Sequence, residues 1–149
     1  MAKEHYGIPH ATGYDIAVCN AYGRVSESAI ALVFTLAVLK PDATGTGVLI
    51  CDSPEGQVPH YVMRSWGRGY GGRHYTPRAP GFISLLMRKL IVFNPQPDRT
   101  MLDMACNADD AVVVKTWQEV RDILEADYPG PARACIIPDG TMQYIKQPG

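Results

Sequence analysis

The sequence predicts an α/β domain built on one mainly parallel sheet of about five strands, covered on both faces. Two observations carry this. Apolar runs of strand length recur along the chain without the polar alternation of a half-exposed sheet. Segments of helical character fall between them, the pattern of strand–helix–strand units rather than of hairpins. The 149 residues and 46% hydrophobic content fit one globular domain with one core.

The elements can be justified in chain order. "YDIAVCNA" (residues 14–21) is a short apolar run and reads as a buried strand. "SESAIALVFTLAVLK" (26–40) reads as a helix, with Ser26 as its cap, Glu27 in its first turn and Pro41 stopping it. Its apolar residues lie almost all round, which predicts burial on most sides. "TGVLICD" (46–52) is a second strand. "PHYVMRSW" (59–66) reads as a helix with Pro59 in its first turn. Residues 67–80 form a long irregular stretch, and loops of that length in a compact domain tend to be functional or flexible. "KLIVFN" (89–94) is a third strand, "RTMLDMACNA" (99–108) a short helix and "AVVVK" (111–115) a fourth strand. "TWQEVRDILEADY" (116–128) is a helix whose Thr116 and Glu119 have capping-box spacing. Trp117, Val120, Leu124 and Tyr128 mark its apolar face. "ARACIIP" (132–138) is the fifth strand. Residues 1–13 read as a loose segment or linker ahead of a single domain at 14–149.

Composition excludes several classes. A net charge of −1 and a pI near 6.4 do not suit a dedicated nucleic-acid binder. No apolar run reaches the length of a membrane span, and "MAKEHYGIPHATGYD" has no signal-peptide core, so a cytoplasmic location is expected. Cys19, Cys51, Cys106 and Cys135 lie far apart without a Cys-x-x-Cys pair and read as small buried hydrophobes. His5, His10, His60 and His74 form no metal-ligand pattern, and no metal site is expected. No nucleophile with its base can be assembled from spacing, so no catalytic residue is assigned.

In open parallel sheets ligands sit beyond the carboxyl ends of the strands. Two junctions therefore matter, "NAYGRVSES" and "DSPEGQVPH". Neither is a dinucleotide fingerprint or a phosphate-binding loop. Each supplies a glycine, hydroxyls and an amide near a helix start, suited to an anion or a polar ligand. The simpler alternative is that Asn20, Ser26 and Ser53 cap helices and satisfy turns. Charge adds a sharper signal. Residues 56–97 contain no Asp or Glu, where about four are expected by chance. The same window holds Arg64, Arg68, Arg73, Arg78, Arg88 and Lys89, with Trp66, Tyr70 and Tyr75 interleaved. Such a field suits an anionic partner, whether carboxylate, phosphate, nucleotide or an acidic protein face; Arg–aromatic interleaving also fits single-stranded nucleic acid, and the simpler alternative is a solvated or domain-facing surface.

"GYDIAVCNAYGRVSESAIAL", "GTGVLICDSPEGQVPHYV", "LIVFNPQPD" and "IIPDGTMQY" together resemble, in order, the C-terminal domain of the nickel-dependent lactate racemase family. The resemblance covers nearly the whole chain as a pattern of strand ends. It implies a Rossmann-like three-layer α/β domain packed on an N-terminal catalytic domain, on the same or a separate chain. That other domain would hold a nickel-pincer nucleotide and the catalytic histidines of a racemase or epimerase acting on 2-hydroxy acids. This chain would contribute one side of the interdomain cleft, bind no cofactor alone and be inactive alone. The family's Tyr-Gln-x-x-Lys group falls at Ala29, Ile30 and Val33, all apolar, and does not carry over. The polar candidates for ligand contact are Asn20, Tyr22, Ser26, Glu27, Ser53, Gln57 and His60, with Arg64, Arg68 and Arg73 from the basic stretch. The competing reading is a non-catalytic module that binds an anionic ligand or single-stranded nucleic acid through residues 64–78.

Overall fold

The computed structural model describes residues 2–9, 11–56, 83–97 and 110–146. In chain order the elements are α1 (Ala2–His5), β1 (Gly7–Ile8), β2 (Ile16–Asn20), a 3-10 segment (Tyr22–Ala31), α2 (Leu32–Val38), β3 (Thr46–Ile50), a 3-10 turn (Ile83–Leu85), β4 (Lys89–Phe93), β5 (Val112–Val114), α3 (Trp117–Asp127), β6 (Ala134–Ile137) and β7 (Tyr144–Ile145). All five expected strands are present. They form one sheet in the order β5-β4-β3-β2-β6, and every neighbouring pair is parallel. Within residues 1–13, β1 pairs in parallel with β7, as Gly7 opposite Tyr144 and Ile8 opposite Ile145.

Strand alternation builds two cores, one on each face of the sheet. Ala17 and Cys19 of β2, Leu49 of β3, and Leu90 and Val92 of β4 point to the same side as Leu32 and Val38 of α2. Ile16, Val18, Val48 and Ile91 point to the opposite side and meet Val120 of α3. The domain is therefore three layers, with α2 and α3 on opposite faces of a Rossmann-like sheet. Runs such as "IAVC" carry no polar alternation because both of their faces are buried.

α3 follows the sequence expectation. Glu119 N donates to Thr116 Oγ1 at 3.2 Å, and Thr116 N donates to Glu119 Oε2 at 2.8 Å, closing the capping box. Val120 is buried, and Trp117 packs edge-on against Phe93 with ring centroids 5.8 Å apart.

The expected helix over 26–40 differs. The chain turns immediately after β2, where Asn20 Oδ1 accepts from Tyr22 N at 3.1 Å, and runs as a 3-10 helix before α2 begins at Leu32. Ser26 therefore caps nothing here: the N-cap position of α2 is Ala31, which makes no side-chain cap. The Gly, Val and Ser content of 23–28 gives weak α propensity, so the segment keeps the tighter coil. Nor is α2 buried all round. Leu32, Thr35 and Val38 face the sheet while Val33 is 65% exposed. The helix ends at Val38, ahead of Pro41, because Leu39 is extended and Lys40 N donates to Tyr14 O at 3.1 Å. The helices expected at 59–66 and 99–108, and the long stretch 67–80, lie outside the described residues.

Polar groups fasten α3 at the amino edge of the sheet. The Tyr128 hydroxyl bonds to the Asp15 carbonyl and the Thr46 hydroxyl, each at 3.0 Å. Arg88 and Lys89 converge on Asp127 at 3.1 and 2.5 Å. Asp15 pairs with Lys40 and accepts from Arg133 N at 2.8 Å; these bonds, Lys40 first, hold its carboxyl below the usual range.

Two substitutions test this account by urea denaturation. Thr116→Ala should lower unfolding free energy by about 1 kcal/mol through loss of the cap. Tyr128→Phe should cost about 1 kcal/mol by removing the hydroxyl that ties α3 to β2 and β3. A Tyr128→Phe protein as stable as the parent would mean that apolar packing alone positions α3.

Candidate functional site at the carboxyl edge of the sheet

From β2 the chain moves outward through β3 and β4 to β5, then returns through α3 to β6 on the other side of β2. The direction of travel reverses between β2 and β6. In open parallel sheets such a reversal point is where ligands tend to bind, at the carboxyl ends; here the connections after β2 and after β6 both pack on the α2 face of the sheet. The segments at that point are Asn20 to Gly23, after β2, and Pro138 to Met142, after β6.

These two segments are in contact. Gly140 N donates to Asn20 O at 2.8 Å. A Cβ on Gly140 would lie 2.2 Å from Cys19 Sγ and 3.2 Å from Ala31 Cβ, so only glycine lets the loop settle onto β2. Asp139 folds the loop: its Oδ1 accepts from Thr141 N at 2.9 Å, Thr141 Oγ1 at 2.8 Å and Met142 N at 3.1 Å. Burial pushes the Asp139 carboxyl up, but the Thr141 and Met142 hydrogen bonds outweigh it and hold it below its ordinary value, so it is anionic at neutral pH. Tyr22, 69% exposed, and Met142, 52% exposed, form the outer lip.

The neighbouring strands end in the same polar style. Asn94, after β4, is buried; its N donates to Val114 O and its Oδ1 accepts from Gln96 N, both at 2.9 Å. Ser53, after β3, is buried, with Oγ donating to Gly56 O at 2.5 Å while Gly56 N donates back to Ser53 O at 3.0 Å.

The structure brings Asn20, Tyr22 and Ser53 to one edge, where the strand-end argument expects them. It also shows what two of them do: Asn20 and Ser53 hold their own turns through the bonds given above. Ser26 is half-buried within the 3-10 segment. The backbone of Glu27 lies in the same segment, and its side chain is not described. Gln57, His60, Arg64, Arg68 and Arg73 lie outside the described residues. Sequence reasoning missed Asn94, Asp139, Gly140 and Thr141. The signal was present in "NPQP" and "PDGT", each an Asx-turn pattern directly after an apolar run.

Acid–base and nucleophilic options are few. Cys19 is buried and its thiol is pushed up to about 12, chiefly by burial; Cys135 is raised for the same reason. Neither is a thiolate at neutral pH. Among the described residues no three His, Cys, Asp or Glu side chains converge on a metal-sized site. No described helix is long and apolar enough to cross a membrane. The edge can bind and orient a polar ligand through amides, hydroxyls and backbone groups.

No family model and no curated protein matches the sequence. Among solved structures, the fold is similar to that of the lactate racemase apoprotein from Thermoanaerobacterium thermosaccharolyticum, with a TM-score of 0.62 and 14% sequence identity. The match covers 98% of this chain and 38% of that one, so this chain spans well under half of that protein's length. At this identity the likeness establishes a lactate racemase-like fold.

Gly140→Ala should lower stability by about 1–3 kcal/mol, because the added methyl meets a packed sulfur. Adding Cys19→Ala should recover part of that loss, since it removes the clashing atom. Strictly additive costs in the double variant, measured by urea denaturation, would mean the loop does not rest on Cys19.

Proposed function

We propose that this chain is the C-terminal-type domain of a lactate racemase-like protein. It lines one side of an interdomain cleft that takes a nickel-pincer nucleotide and a 2-hydroxy-acid-like substrate, and it is not catalytic alone. The observation that supports this most is the reversal point between β2 and β6, with its polar edge, in a fold shared with a racemase apoprotein over 98% of the chain.

The metal itself does not fit the described residues. No ligand triad converges, and the Cys19 thiol, buried and raised to about 12, is a poor ligand. In this reading the metal-holding and catalytic groups are assigned to a companion N-terminal domain, as the family resemblance implies. This chain's share is positioning. Tyr22 and the Asp139–Met142 loop form the lip of the edge, while Asn20, Ser53 and Asn94 keep the strand ends in shape. Arg64, Arg68 and Arg73 would supply the positive charge that an anionic nucleotide or carboxylate requires.

The test is an NMR titration of the chain with AMP and, separately, with lactate. Binding should be weak, near the millimolar range, because half of the cleft is absent. It should shift the Tyr22, Gly23, Thr141 and Met142 signals and weaken with salt. Replacing Arg68 and Arg73 with Ala should abolish it while changing stability by less than about 0.5 kcal/mol. An unchanged titration in that variant would refute the anion role of the arginines. Tight, salt-sensitive binding to single-stranded nucleic acid with none to nucleotides would replace this reading with the nucleic-acid module. Metal analysis after tag-free purification should find no stoichiometric nickel; one nickel retained per chain would overturn the division of labour between domains.

A further inference from the structure

The two ends of the chain enclose a cavity against β6. Ile8, Pro9 and Ala11 from the N-terminal side and Gln143, just before β7, face Cys135–Pro138 across a space of about 330 Å³. Val38 of α2 and Tyr14 complete the wall. The two sides are separate pieces of structure. β1 and β7 form a two-stranded sheet distinct from the main one, closed by Tyr144 N donating to Tyr6 O at 3.0 Å and Lys146 N donating to Ile8 O at 2.9 Å. Protein interiors hold few voids larger than a water molecule. An apolar void of roughly 150 Å³ already takes up benzene, and ligand pockets begin near about 300 Å³.

The wall states what would fill the space. None of its residues carries a charge, so an ion would lose its hydration there without compensation, and the occupant is neutral. Ile8, Val38, Ile137, Pro9 and Pro138 make the lining mostly aliphatic, so the occupant is mostly apolar. Gln143 adds one polar demand. Its Oε1 is buried without a hydrogen-bond partner, as is the hydroxyl of the adjacent Tyr144. A buried carbonyl left without a donor costs about 1–3 kcal/mol. The terminal torsion of a glutamine side chain is soft, so the amide can swing toward a donor placed in the cavity.

We infer that this cavity is a binding site for a small neutral molecule: an aromatic ring or branched hydrocarbon carrying one N–H or O–H group, which donates to Gln143 Oε1. The site differs in place and in chemistry from the anion site proposed at the carboxyl edge and does not rest on it. Its occupant would bridge the β1–β7 pair and β6, fastening the two ends of the chain to the sheet.

Two probes of nearly equal shape test it by NMR titration of the full chain: indole, which has the donor, and 1-methylindole, which lacks it. Indole should saturate with a dissociation constant of about 0.1–1 mM. The shifts should gather at Ile8, Ala11, Ile137 and Gln143 and leave Tyr22 and Gly23 in place. 1-Methylindole should bind about fivefold more weakly, the worth of one hydrogen bond. In Gln143→Leu the two probes should bind within about twofold of each other, since the acceptor is gone. Bound indole should also slow hydrogen exchange at the Tyr144 and Lys146 amides, because it holds the terminal strand pair in place. Ala11→Phe fills the space from within and should abolish binding of both probes. Absence of a saturable shift in the parent chain would overturn the inference, and so would indole binding that survives Ala11→Phe. Equal affinity of the parent for the two probes would overturn the role of Gln143 and with it the ligand class.

Discussion

Close approach between the sheet and the helical layer beside it governs the architecture. On that face the sheet presents Ala17, Cys19 and Gly47, and Ala31 faces it from the 3-10 segment. A Cβ on Gly47 would meet Thr35 Cγ2 at 2.7 Å and Met87 Sδ at 2.9 Å. The absence of that side chain lets α2 lie against β3 and lets Met87 pack beneath it. Thr35 is buried in this contact and still satisfies its hydroxyl, donating to Ala31 O at 3.3 Å within the helix. The opposite face uses larger residues, Ile16, Val18, Val48 and Ile91, against Val120. The two faces thus differ in the size of the side chains they present, and the small-residue face is where the loop after β6 comes down onto β2.

That close packing determines the shape of the carboxyl edge. Three strands end in an Asn or Asp whose Oδ1 takes the backbone N–H two residues on: Asn20 with Tyr22 at 3.1 Å, Asn94 with Gln96 at 2.9 Å and Asp139 with Thr141 at 2.9 Å. Each bond turns the chain sharply away from its strand end and satisfies a donor that would otherwise be orphaned. A row of such turns leaves a polar rim in which no described group carries a depressed thiol or a strongly raised carboxyl.

Much of the fold was legible in the sequence, because buried parallel strands and a capped helix leave local marks. "IAVC", "GVLI" and "LIVF" are apolar without interruption, and Thr116 with Glu119 sits at the spacing that the structure closes into a box. The helix after β2 was less legible. Its apolar content signalled burial but not the 3-10 winding, which follows from the turn at Asn20 and the weak α propensity of 23–28. The candidate site was half legible. Strand-end reasoning placed Asn20, Tyr22 and Ser53 at the carboxyl edge, yet Gly140 and Asp139 shape it through contacts with Cys19, Ala31, Thr141 and Met142. A glycine in "PDG" reads as an ordinary turn until the residue packed beneath it is known. The arginines were singled out by composition, and composition carries no position.

Charge is divided between the two edges in a way that bears on ligand choice. The amino edge gathers the ion pairs Lys40 with Asp15 and Arg88 and Lys89 with Asp127, where they fasten α3 and the strand starts, while Arg121 and Glu125 pair along the exposed side of α3. Asp139, kept anionic by its loop, lies at the carboxyl edge next to the strand that ends in the neutral amide of Asn20, while Asn94 ends β4, two strands beyond. An approaching anion would meet that carboxylate first, and neutral amides offset such repulsion poorly. Attraction to an anion would have to come from cations elsewhere, and in the sequence they are concentrated in the stretch 56–82 between β3 and β4. It carries Arg64, Arg68, Arg73 and Arg78 with no acid among them. A neutral hydroxyl, unlike an anion, could approach the Asp139 carboxylate without that repulsion and donate to it.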